Sequence, residues 1–123
     1  AFEEVCLQHI SQIKYALHIG AVSSQESSLI VKGNEEADGM QIDLLIDRSD
    51  DVINLCEIKY SKAPFQITNS IDASLQNKRE RFIQETGTEK AVHLTMITTM
   101  GLSDNPYAWD VQSVVTMDDL FVL

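Results

Sequence analysis

The strongest constraint on this 123-residue chain is a pair of apolar segments, residues 41–48 and 52–60, separated only by Ser49-Asp50-Asp51. Two such runs around a short polar break read as a β-hairpin. Side chains alternate along a strand. Ile42, Leu44 and Ile46 are therefore expected on one face of the first segment, with Asp43, Leu45 and Asp47 on the other. In the second segment Leu55, Glu57 and Lys59 share a face, and Asn54, Cys56, Ile58 and Tyr60 share the opposite one. An acid and a base thus sit mid-strand, two residues apart, in a stretch otherwise suited to burial. Lone charges there are costly. Glu57 and Lys59 are expected to be paired with each other, with Asp43, or with a metal.

Pairing of the hairpin brings Asp43 toward Glu57. Two carboxylates held together repel, and the conflict raises a pKa. A divalent cation removes it, and hard cations such as Mg²⁺ prefer oxygen ligands. Lys59 is then placed to orient or activate a water and to stabilise charge developing at phosphorus. Asp43, Glu57 and Lys59 are the candidate catalytic set, and the chemistry they suit is phosphodiester hydrolysis. Glu3 is a candidate third metal ligand, because it falls inside the apolar arc of the first helical segment while Glu4 points away. Its alternative role is to serve the helix dipole near a helix start. Lys62 and Lys78 are candidate nucleic-acid contacts. The more ordinary role of Lys62 is surface charge, and Lys78, within a buried helix stripe, could snorkel or reach the pocket of Glu57.

The rest of the chain places these residues. Residues 2–18 carry apolar positions at helical spacing, and Gly20 lies where a terminating glycine is expected. Residues 21–28, with four serines, read as a loop, and Ser28–Lys32 as a short strand. Residues 33–39 form a polar turn. Asn69 is the expected N-cap of a helix that Gly87 stops. Ala91–Met100 is a buried strand, Gly101–Pro106 a loop, and Trp109–Val115 a further strand. Thr116 caps a short terminal helix, with Asp118 and Asp119 in its first turn.

Length allows one domain, 1–123, with a real core. No run approaches a membrane span, and nothing resembles a signal peptide, so a cytoplasmic protein without membrane contact is expected. The chain begins directly inside a helix, which suggests a fragment of something larger. Cys6 and Cys56 lie 50 positions apart without a CxxC spacing. They are expected as buried free thiols. His9 and His93 are expected to be structural. The net charge of −10 opposes nucleic-acid binding, since affinity for phosphate backbones comes largely from cations. Metal ions and a local basic patch would have to offset it.

Asp43, thirteen residues, and then Glu57-Ile58-Lys59 resembles the D-x(n)-ExK signature of the PD-(D/E)xK nuclease superfamily. Ile42 stands where the proline of the motif name would be. The order helix, three strands, helix, strand is similar to the superfamily core. The resemblance implies an α/β fold with a restriction-endonuclease-like core (αβββαβ) and a central mixed sheet flanked by helices. More narrowly, AFEEVCLQHISQIKYAL, QIDLLIDRSDDVINLCEIKYS and the terminal VVTMDDLF resemble the C-terminal domain of prokaryotic ATPases. That likeness implies metal-site roles for Glu3, Asp43 and Glu57 with Mg²⁺ or Mn²⁺, and a catalytic role for Lys59. It also implies that the chain ends near a true C-terminus. No Gly-x4-Gly-Lys-Ser/Thr loop occurs here, so ATP would belong to an upstream ATPase domain. Two functions are in contention. One is a metal-dependent nuclease module acting on DNA or RNA. The other is an inactive nuclease-fold module serving dimerisation, as a homo-oligomer, or partner docking.

Overall fold

The structure, a computed structural model, describes residues 1–122; Leu123, the last position of the expected domain, lies outside them. Its centre is a five-stranded mixed sheet in the order β1-β2-β3-β4-β5. The strands are β1 (Ser24–Val31), β2 (Met40–Arg48), β3 (Val52–Lys59), β4 (Ala91–Thr98) and β5 (Ser113–Thr116). The first three form an antiparallel meander, and β3, β4 and β5 run parallel. Parallel neighbours need a crossover. Helix α3 (Asn69–Thr86) connects β3 to β4, and the short α4 (Pro106–Trp109) connects β4 to β5. The fold is α/β, with helices on both faces of the sheet.

Each face has its own apolar core. On one side Leu75 and Phe82 of α3 pack against Ile42, Leu45, Ile53, Leu55, Val92, Leu94 and Met96. On the other, Cys6 and Ile13 meet Leu44, Ile46, Cys56, Ile97, Val115 and Leu120. These come from α1 (Phe2–Leu7), α2 (Ile10–Ala16), the sheet and a terminal 3₁₀ turn (Met117–Phe121).

The helix expected over 2–18 is two helices. His9 breaks it: its ring Nδ1 lies 2.7 Å from the carbonyl of Val5, the acceptor that a continuous helix would give to the His9 amide. That amide bonds Cys6 instead. The ring also packs edge-on against Phe121. The terminating residue is His18, not Gly20. The Ile19 amide reaches the Lys14 carbonyl and the His18 amide that of Tyr15, a Schellman closure with His18 in the left-handed region at φ 61°.

β1 begins at Ser24, inside the segment expected to be a loop. It is an edge strand with mostly exposed side chains, so pairing with β2 makes it rather than an apolar face. Thr68, not Asn69, caps α3, its hydroxyl accepting from the Ile71 amide. Gly87 ends that helix at φ 63°, as its position suggested. The strand expected from Trp109 starts only at Ser113. Asn105 and Pro106 start α4 first, with the Asn105 side chain accepting from the Ala108 amide. Thr116 and Asp119 form a reciprocal capping box on the terminal turn.

One irregularity bears on the site. Ser27 of β1 pairs with Leu45, and Leu29 with Ile42. Two steps on β1 therefore match three on β2, a bulge that falls at Asp43-Leu44. It breaks the expected alternation: Ile42 joins Leu45 in the α3-side core, while Leu44 and Ile46 enter the other.

Candidate functional site

β2 and β3 are paired from Asp47–Ile53 to Leu44–Cys56. Beyond that point, at the bulge, the ladder is continued by a side chain. The Asp43 carboxylate accepts the amide of Ile58 through Oδ2 at 3.0 Å. A residue of β2 is thereby fixed against the middle of Glu57-Ile58-Lys59. Asp43 and Leu44 also line a shallow groove with Leu7, Ile10 and residues 26–28. Asp43 thus borders this groove beside the first two helices while its Oδ2 stays on the Ile58 amide, and its charge also acts on Glu57.

Glu57 lies on the α3 side. Leu55, two residues earlier, belongs to that core, and Lys78 of α3 reaches Glu57 with Nζ 2.9 Å from both carboxylate oxygens. Glu57 is 4% exposed. Burial pushes its carboxyl above the usual range and the Asp43 charge adds to this, while Lys78 and Lys59 oppose it. Lys78 thus reaches the pocket of Glu57, the alternative to a nucleic-acid contact.

Lys59 stands beside Thr98 in the parallel β3–β4 register, as Glu57 stands beside Met96. The Lys59 ammonium has no ion-pair partner among the described residues. The Thr98 hydroxyl is fully buried and has no hydrogen-bond partner among them either. Nothing in the sequence distinguished Thr98 from Thr95 of the same strand. Its orphaned hydroxyl emerges only from the register.

Lys62 is exposed. It lines a crevice with Tyr60, Ser61, Thr99, Met100, Thr116, Met117 and Asp118. This crevice lies beyond the carboxyl ends of the three parallel strands, where open α/β sheets commonly place ligands. Glu3 is exposed on α1. Its charge and that of Asp43 both act on the buried Cys6 thiol, which burial chiefly pushes up to about 11. Among the described residues no three His, Cys, Asp or Glu side chains gather closely enough to enclose a metal. Glu3, Asp43 and Glu57 are therefore not drawn into one three-carboxylate cluster.

Comparison with known proteins adds a fold likeness. No protein-family model and no curated protein matches the chain. A solved structure, the crystal structure of a protein of unknown function, AF1548, is similar with a TM-score of 0.59 at 15% identity. The match covers 94% of this chain and 64% of that one. At this identity the likeness concerns architecture alone.

No helix among the described residues is long and apolar enough to cross a membrane.

Proposed function

We propose that this chain is a restriction-endonuclease-like module whose Asp43, Glu57 and Lys59 carry metal-dependent hydrolysis of a phosphodiester in DNA or RNA. One observation carries the reading: the Asp43 carboxylate is fixed on the Ile58 amide, between the acid and the base of the motif, at the point where β2 and β3 stop pairing.

The residues fit a hard divalent cation in kind. Asp43 keeps Oδ1 without a hydrogen-bond partner among the described residues. The Glu57 fork already holds one positive charge. Mg²⁺ is commonly bound by one or two carboxylates, with water and substrate phosphate completing its shell, so two suffice. Asp43 and Glu57 would hold Mg²⁺ or Mn²⁺, with Glu3 as an outer contributor. When bound, the ion would polarise the phosphate and lower the pKa of a water. Lys59, without an ion-pair partner among the described residues and two residues from Glu57 on the same strand face, would position that water and meet the negative charge developing at phosphorus. The Thr98 hydroxyl, beside Lys59 in the register, supplies a further polar atom to the same face. Lys62, at the crevice edge, would meet the next phosphate along the strand.

A second reading, an inactive nuclease-fold module for dimerisation or docking, is favoured by one observation. Both oxygens of Glu57 are engaged by Lys78, so the acid is neutralised without metal. Calorimetric titration of the wild type and Asp43→Ala with MnCl₂ and MgCl₂ separates the two. Binding that disappears in Asp43→Ala supports the nuclease reading; a wild type that binds neither ion supports the second. Cleavage of single- and double-stranded DNA and RNA, with Lys59→Ala as control, then tests the chemistry. Cleavage unchanged in Lys59→Ala would exclude the assigned role of that lysine. Attachment to an upstream ATPase and assembly as a homo-oligomer belong to the same proposal, and sedimentation of the 123-residue chain reads the second.

A further inference from the structure

Resting on the reading above, the geometry points to Lys78 as a resident counter-cation that gates the site: a divalent ion engages Glu57 only by displacing the Lys78 ammonium. Three observations support this. First, the contact is a fork, with Nζ 2.9 Å from each oxygen of Glu57. A cation placed symmetrically between two carboxylate oxygens takes the position that a bidentate metal ion would need. Second, Glu57 is almost wholly buried. A buried carboxylate requires a compensating charge, and the site holds only one at a time without strong repulsion between cations. Third, the Lys78 side chain is 21% exposed, against 6% for Glu57. The lysine is the more exposed partner, on a flexible stem, and can exchange the carboxylate for water. Glu57 has no such exit.

The exchange breaks no covalent bond: one positive charge leaves Glu57 and two arrive, neutralised together by the Asp43 and Glu57 carboxylates. The Lys78 ammonium leaves Glu57 for solvent still protonated, and the divalent ion takes its place beside Asp43 and Glu57. Lys78 is then a positioning residue that sets the threshold of metal concentration at which the site fills. Lys59 remains to act on the substrate. The exchange also accounts for two lysines at one acidic pocket, since they hold different posts.

The test is metal binding by the 123-residue chain, read by calorimetry with MnCl₂ and MgCl₂ and by thermal melting with and without each salt. Lys78→Met keeps the apolar stem and removes the charge. Lys78→Gln serves as the second variant should the first fail to fold. Either variant is expected to bind Mn²⁺ at least tenfold more tightly than wild type. It should also gain more melting temperature from the ion than wild type does, and Glu57→Gln added to Lys78→Met should abolish both gains. Variant affinity equal to or weaker than wild type, with wild type binding the ion, overturns the gating role and leaves the nuclease reading intact. Absence of binding in wild type and variants alike overturns both.

Discussion

Nζ of Lys78 and the two carboxylate oxygens of Glu57 form a fork with equal arms of 2.9 Å, joining the middle of α3 to the carboxyl-terminal end of β3. Removing one partner of such a buried pair leaves the other uncompensated, which costs about 3–5 kcal/mol. In the absence of divalent ions, Lys78→Met is expected to lose stability on that scale, reduced by the partial exposure of the lysine. The double variant Lys78→Met with Glu57→Gln should recover most of the loss, since no charge remains to be buried. Urea denaturation of the four members of this cycle measures the coupling directly. A double variant no better than Lys78→Met alone would mean that the pair is not the source of the cost.

Burial of Glu57, which Lys78 only partly offsets, sets a pH dependence. The folded state holds the Glu57 proton more tightly than the unfolded chain, whose carboxyl is near the ordinary value of 4.5. The native state therefore binds more protons in the window between that value and the raised one. Stability from this group falls as pH rises through the window and is flat above it. Glu57→Gln removes the slope, so the difference in unfolding free energy between wild type and variant should change with pH only above about 4. Denaturation curves in metal-free buffer between about pH 4 and 8, starting near the ordinary glutamate value, show the effect or its absence.

Asp43 has a structural task beside any chemical one, because its Oδ2 replaces a missing ladder partner for the Ile58 amide. Asp43→Ala leaves that amide without its acceptor, at a cost of about 1–3 kcal/mol if water cannot reach it. Asp43→Asn keeps an acceptor oxygen and should restore most of the stability while still lacking the charge. Amide hydrogen exchange at Ile58 is expected to accelerate in Asp43→Ala and to stay slow in Asp43→Asn. Equal protection in both would show that the side chain does not hold the two strands together.

Much of this arrangement was readable in the sequence, and the exceptions have specific causes. The hairpin around residues 49–51, α3 with its Gly87 stop, and the capped terminal turn each follow from local chemistry: apolar runs, a left-handed glycine, and a Thr-x-x-Asp box. The bulge at Asp43-Leu44 was hidden, because it arises from a register mismatch with β1, which has no apolar pattern to announce it. The division of the first helix was hidden for a similar reason. His9 breaks it through a ring bond to Val5 and an edge contact with Phe121, and the latter comes from the far end of the chain. The strand positions of Asp43 on β2 and of Glu57 and Lys59 on β3 followed from the apolar runs around them. That Lys78 would occupy Glu57 depended on how α3 lies across the sheet, which periodicity narrows to a face but does not fix.

The two cysteines give a prediction about reactivity. Both are buried and unbridged. Burial pushes the Cys6 thiol up to about 11 and the Cys56 thiol still higher, with nearby carboxylates contributing to each. The thiolate is the nucleophile, so at pH 8 both should resist iodoacetamide in the native protein and react in urea. Mass spectrometry of the two samples counts the labelled sites. Native labelling of Cys6 alone would indicate that α1 opens locally away from the sheet.

His18 stores backbone strain that substitution can release. It occupies the left-handed region at φ 61°, where an L-residue pays about 1–2 kcal/mol. Glycine removes that strain but adds freedom to the unfolded chain worth about 0.5–1 kcal/mol. His18→Gly is therefore expected to be neutral or to stabilise by up to about 1 kcal/mol. A β-branched residue is worse suited to positive φ, so His18→Val should destabilise. The closure that requires this geometry is made by backbone groups alone, Ile19 to Lys14 and His18 to Tyr15, and both substitutions leave those groups in place. The ordering Gly above His above Val in thermal melting thus isolates the backbone conformation from side-chain contacts. A valine variant as stable as wild type would mean that residue 18 is not held at positive φ in solution.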